Sequence, residues 1–128
     1  MQKILVVDDN QASRELFLAV LKGPDRHLLE ASQGQEALNI IAREEPDLVL
    51  LDVEMPVLDG YAVLRTIRGN PRWAAVRIVA VTANAMAGAR ESVLAAGFDG
   101  YIAKPIRTAI LRTQVERLLS GQGGTMNE

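Results

Sequence analysis

The chain has 128 residues, 48% apolar and 23% charged, which suits a single domain that buries a sizeable core. Its 14 Lys and Arg residues nearly balance 16 Asp and Glu residues, so a net charge of −2 gives no general electrostatic reason to bind nucleic acid or an anionic membrane. Cys is absent, which excludes disulfides and thiolate chemistry, and no apolar run approaches the roughly 18 residues of a membrane span; the composition therefore predicts a soluble, cytoplasmic domain without membrane insertion.

Apolar, β-branched runs alternate along the chain with segments of helical spacing. Strands are predicted, in chain order, at 4–7, 27–31, 48–51, 78–81 and 100–103, the second and fifth being weaker and typical of sheet edges. Between and after them, apolar residues three and four positions apart predict one buried stripe on each helix. The stripes contain Leu16, Phe17, Val20 and Leu21; Ala37, Leu38 and Ile41; Val63, Leu64 and Ile67; Ala89, Val93 and Ala96; and Ile110, Leu111, Val115, Leu118 and Leu119.

Five strand-then-helix units with short joints predict an α/β fold. The expected architecture is an open, doubly wound, five-stranded parallel sheet with helices on both faces. A closed eightfold barrel would need roughly twice this length. We expect one domain over residues 1–119 and a flexible tail over 120–128, whose sequence SGQGGTMNE has no apolar periodicity.

Polar and charged side chains stand where the central strands end. Asp8 and Asp9 follow the first strand, Asp52 the third, Thr82 the fourth and Lys104 the fifth. In an open α/β sheet the ligand site lies at this carboxyl edge. Three neighbouring carboxylates repel one another unless a proton or a divalent cation lies between them, and a set of oxygen ligands without Cys favours Mg²⁺.

This combination of groups suits phosphoryl transfer to an aspartate. Asp52 is the candidate nucleophile because it comes from a central strand, while a metal ion and Lys104 would neutralise the phosphoryl oxygens and the Thr82 hydroxyl would donate a hydrogen bond. Taken singly, each residue also has a plain structural interpretation, such as a solvated loop acid, a surface lysine or a hydroxyl that satisfies backbone groups. Their joint placement at four strand ends favours a functional site.

Four stretches of the sequence match a known family. V-D-D at 7–9, L-L-D-V-E-M-P-V-L-D-G-Y at 50–61, V-T-A-N-A-M at 81–86 and G-Y-I-A-K-P-I at 100–106 resemble the receiver domains of two-component response regulators. The resemblance covers about residues 3–119. It implies the flavodoxin-like strand order 2-1-3-4-5, which periodicity alone does not provide.

The resemblance also implies roles for the site residues. Asp52 would accept a phosphoryl group, in a Mg²⁺-dependent reaction, from a phosphohistidine on a sensor histidine kinase or a histidine phosphotransfer protein. Asp9 would bind Mg²⁺ directly and Asp8 largely through water, with Asp52 also among the ligands, and Thr82 and Lys104 would contact the phosphoryl oxygens. The domain would catalyse its own phosphorylation and later dephosphorylation, and it would not be an enzyme in the usual sense.

Further roles follow from the same resemblance. Glu54 would bind Mg²⁺ through its backbone carbonyl, and the side chains of Glu54 and Asn84 would flank the water that hydrolyses the aspartyl phosphate and so tune its lifetime. The peptide bond before Pro105 would be cis. Thr82 and Tyr101 would form a switch, in which Thr82 moves toward the phosphoryl group and the Tyr101 ring enters the vacated space. The changed face, formed by the fourth helix, fifth strand and fifth helix, would bind a downstream protein.

Several alternatives remain. Ile106 follows Pro105 where receivers attached to winged-helix domains usually carry Phe, so the chain resembles receivers of hybrid kinases and stand-alone relay proteins, and we expect a stand-alone regulator that binds protein and not nucleic acid. A phosphatase of the haloacid dehalogenase type would need a second Asp where Glu54 stands, and normally a longer chain. A receiver-like binding module that is never phosphorylated would be expected to have lost one of the acids or the lysine. A flavin phosphate would be repelled by the acidic edge.

Overall fold

Strands and helices alternate along the chain in the computed structural model, which describes residues 2–55, 59–83 and 88–120. The elements are β1 (Gln2–Val7), α1 (Gln11–Leu21), β2 (Arg26–Ala31), α2 (Gly34–Glu44), β3 (Leu48–Asp52), α3 (Gly60–Arg68), a 3₁₀ turn (Pro71–Trp73), β4 (Arg77–Thr82), α4 (Ala89–Ala96), β5 (Gly100–Ala103) and α5 (Thr108–Leu119). All five predicted strands and all five predicted helices are present.

The five strands form one parallel sheet in the order β2-β1-β3-β4-β5. This order confirms the doubly wound fold, with β2 and β5 at the edges. In the register, Asp52 lies opposite Val81 and Thr82 lies opposite Ala103, so the carboxyl ends of β3, β4 and β5 reach the same edge of the sheet.

Alternate residues of the buried strands lie in two separate apolar layers, one on each face of the sheet, because successive side chains of a strand point to opposite faces. In β1, Leu5 and Val7 belong to the layer that contains the buried residues of α2, α3 and α4, whereas Ile4 and Val6 belong to the layer that contains those of α1 and α5. Apolar residues therefore occupy nearly every position of β1, β3 and β4, as expected for a sheet covered on both faces.

Side-chain caps help to fix the first turns of α1, α2 and α3. Asp59 caps α3, since its Oδ1 accepts a hydrogen bond of 2.9 Å from the Ala62 N–H. The prediction for Ala96 is wrong, because this residue is exposed at the end of α4. The prediction for Leu16 is also wrong, because this side chain is 41% exposed. The buried residue of that turn is Phe17, and a neighbouring position on an α-helix lies about 100° further round the axis.

The α4 helix has less support than the other described helices. It has eight residues, of which only Val93 is buried, and no side chain caps its first turn. Gly88 precedes it at φ 86° and Gly97 ends it at φ 116°, both in the left-handed region that favours glycine.

Among the described residues, no helix is both long and apolar enough to cross a bilayer.

Candidate functional site

Backbone hydrogen bonds to neighbouring strands hold the site residues at the carboxyl edge. Asp52 and Thr82 are the last residues of β3 and β4. Beyond the strands, the Lys104 N–H donates to the Thr82 carbonyl at 2.8 Å, and the Asp8 N–H donates to the Ala31 carbonyl at 3.1 Å. The side chains of Asp8 and Lys104 therefore start from fixed backbone positions.

Three carboxylates and one ammonium group meet at this edge. Asp8, Asp9 and Asp52 each offer an oxygen, and these oxygens all lie within 4.8 Å of one another. Asp8 and Asp52 are buried, with 1% and 4% exposure, whereas Asp9 is exposed. The Nζ of Lys104 lies 2.9 Å from Oδ2 of Asp8 and 3.4 Å from Oδ2 of Asp52. Three negative charges and one positive charge leave a formal −2, the complement of a divalent cation.

Short turns orient the two buried acids. Oδ1 of Asp8 accepts the N–H of Asn10 at 2.9 Å, and Oδ1 of Asp52 accepts the N–H of Glu54 at 2.9 Å. Both are the local i to i+2 bond that aspartate favours where a strand leaves the sheet. In each acid, Oδ2 is then the oxygen that faces Lys104.

The electrostatics of the cluster shift two pKa values. Burial raises the pKa of the Asp52 carboxyl and the charge of Asp8 adds to this effect, while the Glu54 N–H and the Lys104 ammonium oppose it. Burial by itself would lower the pKa of Lys104, but the hydrogen bond to Asp8 and the charges of Asp52 and Asp8 outweigh burial and raise it. Lys104 is therefore a charged donor, whereas ionisation of the buried Asp52 carboxyl costs free energy in the folded state.

Glu54 links the loop after β3 to the loop after β4. Its Oε2 accepts the Thr82 hydroxyl at 2.9 Å, and its Oε1 accepts the Ala83 N–H at 3.1 Å. Thr82 is buried, with 2% exposure, whereas Glu54 is exposed. The Thr82 hydroxyl and the Ala83 amide are thus two adjacent donors aimed at one carboxylate.

The remaining predicted residues fall in different places. Tyr101 is buried, with 3% exposure, in the apolar layer beneath α4. The Lys104–Pro105 peptide bond is cis. Asn84 lies outside the described residues.

The sequence reasoning gave no role to three groups that border the site. The guanidinium of Arg14 on α1 donates to the Asp8 carbonyl at 2.8 Å. A Cβ on Gly60 would lie 2.6 Å from the Cα of Val53, so only glycine lets α3 begin this close to the end of β3. The Asp-Gly pair at the start of α3 could have indicated this glycine, whereas a sequence carries no signal for the backbone amide of Ala83.

The strand order and the acidic carboxyl edge define a flavodoxin-like α/β domain with a cluster of carboxylates that could hold a cation. The chain belongs to the response regulator receiver domain family, whose model matches residues 4–116. This match confirms the family and the fold that the sequence motifs predicted.

Two curated relatives and one solved structure illustrate the family. The chain is 35% identical over 120 residues to the signal transduction histidine-protein kinase BarA of Escherichia coli K12, covering 94% of this chain and 13% of BarA. It is 30% identical over 105 residues to the polar-differentiation response regulator DivK of Brucella ovis, covering 82% of this chain and 85% of DivK. The receiver domain of a sensor histidine kinase from Pseudomonas aeruginosa PAO1, described with a magnesium ion coordinated in the active site cleft, superposes with a TM-score of 0.82 at 36% identity, covering 93% of this chain and 98% of that one.

Proposed function

We propose that this domain accepts a phosphoryl group on Asp52 from the phosphohistidine of a sensor histidine kinase or a histidine phosphotransfer protein. The observation that carries the proposal is the position of Asp52, which ends a central strand 3.4 Å from Lys104 and within 4.8 Å of the two other acids. Membership of the receiver family supports it, as does similarity to a relative named as a histidine-protein kinase.

We assign the transfer step to one oxygen of Asp52. Since Oδ1 of Asp52 accepts the Glu54 N–H, Oδ2 attacks phosphorus, the O–P bond forms, and the P–N bond to the donor imidazole breaks with its electron pair left on nitrogen. Lys104, near that oxygen, places its positive charge against the phosphoryl oxygens. No general base is required because the carboxylate attacks in its ionised form.

The acids fit Mg²⁺, since their donors are all oxygens and the cluster carries a formal −2. Asp9 would bind the ion directly, Asp8 largely through water, and the Asp52 carboxylate and the Glu54 carbonyl would complete the protein ligands. When bound, Mg²⁺ supplies the charge that lets these carboxylates and an anionic phosphoryl group share one site. A structural relative whose description places magnesium in its active site cleft supports this assignment.

Phosphorylation would change the protein-binding surface of the domain. Thr82 would turn toward the phosphoryl group, Tyr101 would shift in the layer beneath α4, and the face of α4, β5 and α5 would bind a downstream protein. Hydrolysis of the aspartyl phosphate, tuned by Glu54 and Asn84, would end the signal. We propose a cytoplasmic, stand-alone regulator; similarity to DivK, which is named as a response regulator and of which the chain covers 85%, supports the regulatory role.

Intact mass spectrometry after incubation with acetyl phosphate tests the proposal. We expect one hydroxylamine-labile phosphoryl group on the wild type with Mg²⁺ and none in EDTA or on Asp52→Asn. Asp25→Asn is the matched control, because Asp25 is exposed and lies at the opposite edge of the sheet, where its carbonyl accepts the N–H of Gln2. Label on Asp52→Asn would contradict the assignment. Absence of both label and trifluoroberyllate binding would favour a binding module that is never phosphorylated.

A further inference from the structure

The Glu54 side chain occupies the two donors that border Asp52 on the β4 side. One carboxylate oxygen accepts the Thr82 hydroxyl at 2.9 Å, and the other accepts the Ala83 amide at 3.1 Å. The backbone N–H of the same residue bonds Asp52 at 2.9 Å. Glu54 therefore connects the proposed acceptor with the neighbouring donors.

A phosphoryl group on Asp52 presents anionic oxygens to the same side of the cluster, because Thr82 is the residue after Val81, which pairs with Asp52 in the sheet. A hydroxyl has one proton and an amide has one, so neither group donates a full hydrogen bond to two acceptors at once. The Glu54 carboxylate would also repel a phosphoryl group placed beside it.

We propose that the Glu54 carboxylate is an internal competitor of the phosphoryl group. It occupies the Thr82 hydroxyl and the Ala83 amide before phosphorylation and has to release both when Asp52 is phosphorylated, which its exposed position permits. This inference rests on the proposed function and deepens it, making Glu54 a positioning residue that acts through Thr82 and Ala83.

Breaking the two hydrogen bonds of the Glu54 carboxylate costs free energy, and a variant without this carboxylate would not bear that cost. Phosphorylation must replace two charge-assisted hydrogen bonds, each of the kind that contributes measurably to stability. Glu54→Ala removes the competing carboxylate from both donors in advance, so the variant should bind trifluoroberyllate, an analogue of the phosphoryl group, about tenfold more tightly than the wild type. Glu54→Gln keeps one carbonyl oxygen as acceptor and should give an intermediate affinity.

The affinity test uses the full chain at saturating Mg²⁺, so that a change of metal affinity does not enter. Trifluoroberyllate is not hydrolysed, which separates this effect from any change in phosphate lifetime. Glu44→Ala is the matched control: it removes the same charge from the end of α2, where Glu44 pairs with Lys3 at the opposite edge of the sheet. We expect the control to bind like the wild type.

A second measurement needs no phosphoryl group. In ¹H–¹⁵N spectra recorded in EDTA, the Ala83 amide should lose its hydrogen-bonded shift and exchange faster in Glu54→Ala but not in Glu44→Ala. Equal or weaker trifluoroberyllate binding by Glu54→Ala, or an unchanged Ala83 amide, would overturn the inference while leaving the proposed function standing. Failure of the wild type to bind trifluoroberyllate or to be labelled would overturn both.

Discussion

Asp52→Asn should stabilise the protein in the absence of metal at neutral pH. The carboxylate of Asp52 is buried, its pKa is raised, and its oxygen lies within 4.8 Å of those of Asp8 and Asp9. Asparagine has nearly the same shape and keeps a carbonyl oxygen for the Glu54 N–H. The substitution therefore removes a buried charge that destabilises the folded state, and it preserves the local hydrogen bond.

The size of the effect follows from the distances. The carboxylate oxygens lie no more than 4.8 Å apart, and at that limit, with an effective dielectric constant of about 20, each pair repels by about 3.5 kcal/mol. On the same scale, Lys104 at 3.4 Å attracts Asp52 by about 5 kcal/mol, so Asp8, Asp9 and Lys104 together leave a net repulsion of about 2 kcal/mol on Asp52. For a domain of this length, that free energy corresponds to a rise in Tm of roughly 6 °C.

The stabilisation should depend on pH. Because the folded state raises the pKa of Asp52, it binds that proton more tightly than the unfolded state does. The penalty is absent below the ordinary value of 3.8 and develops as the pH rises through the raised pKa of the folded state, so the advantage of asparagine should be small near pH 4 and larger at pH 7.

Urea unfolding followed by circular dichroism, in EDTA at several pH values, measures this difference directly. Asp25→Asn, an exposed control at the opposite edge, should stay close to the wild type. Added Mg²⁺ should narrow the gap between the wild type and Asp52→Asn. A variant that is no more stable than the wild type at pH 7, or an advantage that persists unchanged at pH 4, would refute the electrostatic argument.

Three further predictions concern packing, switching and phosphate lifetime. Gly60→Ala should lower the free energy of unfolding by about 2 kcal/mol, because its Cβ would lie 2.6 Å from the Cα of Val53 and α3 would have to move, which urea unfolding measures. Tyr101→Ala should make the affinity for a downstream protein less sensitive to phosphorylation, as titrations with and without trifluoroberyllate would show. Glu54→Ala and Asn84→Ala should change the decay rate of the aspartyl phosphate, followed by intact mass, more than they change Mg²⁺ affinity.

Each of these predictions has its own control or contrary outcome. Gly23→Ala should be nearly neutral, because its Cβ would meet its nearest atom at 3.9 Å, and equal losses at Gly23 and Gly60 would contradict the packing argument. An equally large phosphorylation effect in Tyr101→Ala would separate Tyr101 from the switch. Unchanged decay in both the Glu54 and Asn84 variants would remove them from the hydrolysis step.

Sequence alone could place the acids and the lysine because parallel strands share one carboxyl edge. The apolar runs place Asp8, Asp52, Thr82 and Lys104 at or just beyond strand ends, and the motifs supplied the order of the strands. The error at Leu16 arose because four apolar residues in one helix were assigned to a single stripe wider than the buried face.

The sequence does not specify which hydrogen-bond or ion-pair partner each polar group of the site takes. Lys104 could contact either buried acid, and its shorter distance to Asp8, 2.9 Å against 3.4 Å to Asp52, results from backbone placement and rotamer together. The same holds for the bonds from Thr82 and Ala83 to Glu54, since they require two loops to approach each other. Contacts between loops depend on three-dimensional closure, which periodicity does not encode.

The weakly supported α4 helix has a thermodynamic consequence. The α4 helix has one buried residue, no side-chain cap and a left-handed glycine at each end, so its displacement would expose little buried surface. By contrast, α2, α3 and α5 each bury four residues. Local opening therefore requires less free energy there than global unfolding does. The native ensemble should include conformers in which only this helix is displaced, and a small bias at the end of β4 is enough to change their population.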